Sequence, residues 1–152
     1  AIRAAPNVLI GYNTFGFDYK YMADRAAMLR CGRFWFGGML ASDRGKLQSR
    51  ELSSNALGQN IMHMPTMTGR THIDVFHYVK AQYKLQMYSL NAVSEHFLGM
   101  QKVDMPYDQL FRELKAGAAG MAHAAEYCAE DCRLPIRLLK RLEIMNSMIE
   151  MS

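Results

Sequence analysis

Apolar residues run together from Asn7 to Tyr12 (NVLIGY), the pattern of a buried strand, and Pro6 ahead of them marks its entry turn. Asp18 then stands where a helix should begin. Tyr21, Met22, Arg25, Met28 and Leu29 continue at helical spacing, with Gly32 as a left-handed stop. Between Arg33 and Gly69 the periodicity weakens. Gly37, Gly38, Gly45 and Gly58, with Ser and Asn between them, predict a loop or hairpin insertion over 33–69. Order returns at Thr71, where THIDVF fits a strand end and HYVKAQYKL a short helix or extension. Ser89 suits the cap of a helix that turns Leu90, Val93 and Phe97 inward and ends at Gly99. Asp104 and Pro106 open another through Leu110, Phe111 and Leu114, which Gly117 and Gly120 break. A last helix starts near Ala119 and carries Tyr127 and Asp131; Pro135 inside it predicts a kink or restart near Arg133. A strand followed by helices, with an inserted hairpin, favours an α/β fold over an all-α bundle.

Composition narrows the class. Hydrophobic residues make up 50% of the 152 residues and charged residues 21%, so the chain can bury one domain's core and is not a disordered tail. No apolar run approaches the roughly 20 residues of a membrane span, and the start lacks the order of a secretory signal. Cys31, Cys128 and Cys132 are an odd set without a disulfide framework, which suits a reducing, intracellular setting. The formal charge of +4 is compatible with a polyanionic partner but too mild to establish one. The 13 methionines read as adaptable core filler. The chain opens just before a strand and stops in a continuing helix pattern, so a piece of a longer protein is expected.

Two spacings carry candidate chemistry. In YCAEDCRLPIRLLKRL, Tyr127 and Asp131 stand one helical turn apart and share a face. In IGYNTFGFDYKYM, Asn13, Phe17 and Asp18 follow the first apolar run. Carboxylates from distant elements, here Asp18 and Asp131, are the means by which RNase-H-like nucleases hold two divalent cations. Oxygen ligands suit magnesium or manganese rather than zinc. Tyr127 can orient a water, because a phenol of pKa near ~10 acts as a hydrogen-bonding group rather than a base. Asn13 can bond a sugar or phosphate, and Phe17 can wedge against a base. Each residue also has a plainer reading: Asp18 as a helix cap, Tyr127 as a core tyrosine, and Asp131 as a surface partner of Arg133 or Arg137. Asn13 would then be a turn residue and Phe17 a core one. Cys128 and Cys132 share a face but have no matching Cys/His pair, and the histidines read as structural or solvated.

GYNTFGFDYKYM resembles the second exonuclease motif of family B DNA polymerases, and YCAEDCRLPIRLL resembles their third. Between them, GRTHIDVFHYVKAQYKLQMYSLNAVSEHFLGMQKVDMPYDQL (Gly69 to Leu110) is similar to the joining segment of the delta-type enzymes and their large-DNA-virus relatives. The resemblance implies a partial RNase-H-like 3′–5′ exonuclease domain over 1–132, with an inserted hairpin loop at 33–69 and a long C-terminal helix over 133–152 leading toward a polymerase palm. It implies metal roles for Asp18 and Asp131, water orientation by Tyr127, and contacts of Asn13 and Phe17 with a primer 3′ end. Asp74 matches a recurrent position with a structural reading. The loop from Gly45 to Asn60 stands where relatives carry a hairpin that helps separate primer from template. The implied cofactors are two divalent metal ions, magnesium or manganese. The implied partners are primer-template DNA with its single-stranded 3′ end, the rest of a polymerase chain, and a sliding clamp or accessory subunits, but no membrane. Localisation would be nuclear in a eukaryote, or the host nucleus or cytoplasm for a virus. The family's first motif, an upstream Asp-x-Glu, does not occur in these 152 residues, so the stretch alone is expected to be inactive. Two other classes remain open: an inactive exonuclease-fold scaffold that binds DNA, and a stand-alone RNase-H-like exonuclease.

Overall fold

The structure, a computed structural model, describes residues 6–31, 37–39, 45–54, 58–100 and 105–150. Its elements in order are β1 (Val8–Gly11), α1 (Asp18–Met28), β2 (Leu47–Ser54), β3 (Gly58–Pro65), β4 (Thr71–Asp74), α2 (Val75–Gln82), α3 (Leu90–Leu98), α4 (Tyr107–Lys115), α5 (Ala118–Arg141) and α6 (Ile144–Glu150). They form two compact units, 1–84 and 85–152.

In the first unit β1 and β4 pair in parallel, Val8 opposite Thr71 and Gly11 opposite Asp74. Parallel strands need a long crossover. Here it contains α1 and an antiparallel hairpin of β2 and β3, registered from Leu47 opposite Pro65 to Ser54 opposite Gly58. Thr66 closes the hairpin's base: its amide donates to the Lys46 carbonyl at 2.8 Å, and its hydroxyl oxygen accepts from the Lys46 amide at 2.7 Å. Helix α1 lies beside this hairpin. It buries Tyr19 and Ala26 and leaves Tyr21, Met22, Met28 and Leu29 exposed. The left-handed stop of α1 falls on Arg30, at φ 52°, where the Cys31 amide reaches back to the Ala26 carbonyl at 2.9 Å. Gly32, the stop expected from sequence, lies outside the described residues.

In the second unit α5 packs against α3, α4 and α6. Ser89 caps α3 by accepting the Ala92 amide at 3.2 Å, and Gly99 ends it at φ 63°, both as the sequence predicts. Helix α4 opens at Pro106; Asp104 lies outside the described residues. Phe111 and Leu114 on α4 are exposed. Two expectations need correction. Gly117, at φ 86°, does separate α4 from α5, but Gly120 is a buried residue within α5. A Cβ there would collide with the Glu113 carbonyl and stand 2.9 Å from the Ala116 Cβ, so Gly120 marks a close helix crossing rather than a break. Pro135 does not restart the chain near Arg133 either. Helix α5 continues through it to Arg141, and the break comes at Glu143, at φ 50°. Burial of Pro135 with Leu134, Leu138 and Leu139 offsets the hydrogen bond that proline cannot make.

Gly120→Ala tests the crossing. Helix propensity alone would stabilise the variant by about 1 kcal/mol, whereas overpacking against a backbone carbonyl costs roughly 1–3 kcal/mol. A lower urea midpoint is expected; a raised midpoint would show that α4 yields freely.

Candidate functional site

The site in the first unit is built around Asp74, the last residue of β4, which is only 5% exposed. Its carboxylate accepts the Asn13 amide at 2.7 Å, the Phe15 amide at 3.0 Å and the Thr14 hydroxyl at 3.3 Å. It also accepts the Phe76 amide at 3.1 Å, which makes Asp74 the cap of α2. A buried carboxylate is costly unless hydrogen-bonded, and these donors are what make its burial tolerable. The structural reading of Asp74 agrees with this arrangement.

Held in this way, residues 13–17 turn sharply between β1 and α1. Asn13 takes φ 57°, a left-handed conformation that asparagine tolerates better than most residues. The Gly16 amide closes the turn on the Asn13 carbonyl at 3.2 Å, and a Cβ on Gly16 would collide with the Asn13 side chain. The hairpin is tied to the same turn, since the His63 amide donates to the Phe15 carbonyl at 2.7 Å.

The turn presents Asn13, Phe17 and Asp18 to solvent. Phe17 is not a core residue: it is 62% exposed. Asp18 is not the cap of α1, because Phe17 occupies the cap position and no side chain bonds there; Asp18 is the first helical residue. Partial burial raises its pKa, the Asp74 charge adds to the rise, and its own backbone amide opposes both. Hard oxygen donors of this kind fit magnesium or manganese. Among the described residues, no cluster of three or more metal-ligating side chains forms.

Beneath the turn lies an aromatic bed that the sequence did not announce. Phe15 packs edge-on against His72 at 4.8 Å and stacks with His77 at 6.2 Å. The Tyr19 hydroxyl bonds a His72 ring nitrogen at 2.9 Å. Burial lowers the pKa of both histidines, against the opposing pull of Asp74. Tyr12, edge-on to Phe76, has its phenol pushed well up by burial and then by Asp74.

In the second unit Tyr127 and Asp131 are half-buried and stand one turn apart on α5. The two arginines nearest Asp131 in sequence both approach Glu130. Arg133 bonds Glu130, and Arg137 lies 4.0 Å from the same carboxylate. Pro135 has no N–H to give the Asp131 carbonyl, four residues back. Cys128 and Cys132 are exposed free thiols.

These elements make a mixed α/β chain consistent with an RNase-H-like exonuclease domain. The sequence profile of the DNA polymerase family B exonuclease domain matches residues 1–93. The chain is 36% identical over 151 residues to the DNA polymerase delta catalytic subunit of Candida albicans, covering 99% of the chain and 14% of that protein. It is 34% identical over 147 residues to the delta catalytic subunit of Mesocricetus auratus, covering 97% and 13%. A DNA polymerase of Paramecium bursaria Chlorella virus NY2A is 35% identical over 159 residues, covering 96% and 17%. The chain belongs to the family B DNA polymerases, through their exonuclease domain. It spans between 13% and 17% of the length of these relatives.

Asp74→Asn keeps one acceptor oxygen but turns an amide donor toward the donors around it. A loss of about 2–3 kcal/mol in unfolding free energy is expected, with faster hydrogen exchange at the Asn13 and Phe15 amides. Unchanged exchange at both would show that the turn stands without the carboxylate.

The histidines set a pH dependence. Their folded pKa values lie below the ordinary ~6.5, so the unfolded chain binds more protons in that window. Stability complete above pH ~6.5 is therefore lost as the pH falls through the lowered values. Urea midpoints should drop between pH ~7.5 and ~5.5, and His72→Gln should flatten the drop.

Proposed function

We propose that this stretch is part of the 3′–5′ proofreading exonuclease of a family B DNA polymerase, acting on the frayed 3′ end of a primer. The observation that carries the reading is the turn held by Asp74, which exposes Phe17 and Asp18 side by side at the start of α1. In this reading Asp18 and Asp131 hold two divalent cations, magnesium or manganese. When bound, these ions supply an activated water and offset charge on the leaving oxygen. Tyr127 orients the attacking water through its hydroxyl. Asn13 bonds the sugar-phosphate of the terminal nucleotide, and Phe17 lies against its base. In this reading the segment from Gly45 to Asn60 helps part primer from template, as its resemblance to the relatives' hairpin implies. The stretch supplies two carboxylates and depends on further acidic residues, so residues 1–152 alone are inactive. The natural chain would act at the cell's or virus's replication site, nuclear in a eukaryote, together with the polymerase domains and accessory subunits.

The test uses the complete natural chain and a labelled single-stranded oligonucleotide. Asp18→Asn and Asp131→Asn should each slow 3′–5′ hydrolysis by on the order of 10²-fold or more, with nucleotide incorporation retained. Tyr127→Phe should cost about tenfold or more. Hydrolysis at the unsubstituted rate in Asp131→Asn would sink the reading.

A further inference from the structure

Helix α1 carries a surface that Asn13, Phe17 and Asp18 do not account for. Phe17, Tyr21 and Arg25 follow at intervals of four residues, so they share one face of the helix. The rings of Phe17 and Tyr21 are stacked, with centroids 5.6 Å apart and planes only 14° from parallel. Both stay open to solvent, Phe17 at 62% and Tyr21 at 56% exposure. Single exposed aromatics are common on protein surfaces, but two adjacent near-parallel rings with bare outer area offer a platform on which a nucleobase can stack. The opposite face of the helix is fixed by burial of Tyr19 and Ala26, with Tyr19 bonded to His72, so the stacked pair is held outward.

Charge supports the same occupant. Lys20 is engaged by Asp24 at 2.7 Å, which neutralises the acidic residue beside this face. Arg25 is exposed and makes no ion pair among the described residues. A guanidinium one turn beyond a free aromatic face suits a phosphate that follows a stacked base.

We infer that Tyr21 and Arg25 extend the single-strand track beyond Phe17, Tyr21 stacking on the nucleobase next to the terminal one and Arg25 contacting its phosphate. This rests on the exonuclease reading of Asp18 and Phe17 and adds a second nucleotide position to it. The ligand is single-stranded DNA of any sequence, because every base has a face to stack.

The experiment measures equilibrium binding of the complete natural chain to an oligothymidylate carrying 2-aminopurine at the penultimate position. EDTA is present so that hydrolysis does not intervene. Tyr21→Leu should weaken binding roughly tenfold and relieve the quenching of 2-aminopurine, whereas Tyr21→Phe should stay within about twofold of the unsubstituted chain. Arg25→Gln should reduce the slope of log affinity against log salt by about 0.7, the value for one phosphate on a single strand. Thermal midpoints check folding, and Arg25→Gln gives a second route should Tyr21→Leu misfold. Unchanged affinity and quenching in Tyr21→Leu, with Phe17→Leu weakened, would overturn this inference and leave the exonuclease reading standing. If Phe17→Leu is also unchanged and Asp18→Asn still hydrolyses DNA, both fall together. Loss of a protein contact without loss of DNA affinity would assign the face to a protein partner and equally overturn the proposal.

Discussion

A single buried carboxylate organises the first unit. Asp74 ends β4, caps α2 and gathers the amides of Asn13 and Phe15 from the far side of a long crossover. Left alone, an ionised group at 5% exposure would be among the costliest features of the fold. Each donor it gathers lowers that cost, and each is a backbone or hydroxyl group that would otherwise need a partner of its own. The turn, the start of α1 and the direction of α2 are therefore one hydrogen-bonded assembly rather than three local ones.

The same charge acts at a distance. Asp74 adds to the upward shifts of Tyr12 and Asp18, in both cases behind burial, and pulls the histidine pKa values upward against a larger effect of burial. Its field thus favours cations and disfavours further anions around the turn. Asp18, exposed at the rim, carries a pKa raised by its partial burial and by this field, so a cation beside it would favour its ionised form. The organising acid and the chemically available acid are different residues, and burial separates their roles.

Much of this was legible in the sequence where local chemistry decides structure. Ser89 and Gly99 bracket α3 because a hydroxyl cap and a left-handed glycine satisfy helix ends without help from elsewhere. The strand at NVLIGY was readable for the same reason. Gly120 was misread because a glycine needed for close packing is indistinguishable in sequence from one that ends a helix. Pro135 does not restart the helix because burial of the proline and its neighbours outweighs one lost hydrogen bond. Among the candidate residues, Asn13, Phe17, Asp18, Tyr127 and Asp131 stood out by spacing and resemblance. The bed of Phe15, Tyr19, His72 and His77 did not, since its members meet only through β1–β4 pairing, some 60 residues apart in the chain.

The register of β1 on β4 sets where this lineage can change length. Gly11 faces Asp74 in a ladder whose side chains alternate, so one residue gained or lost within β4 would send Asp74 to the other face, and one within β1 would shift the turn after Gly11 away from it. The crossover obeys a different rule, because closing a longer loop costs only about 0.6 kcal/mol per doubling of its length. Hairpins there can be lengthened, shortened or exchanged, while two four-residue strands admit no insertion at all.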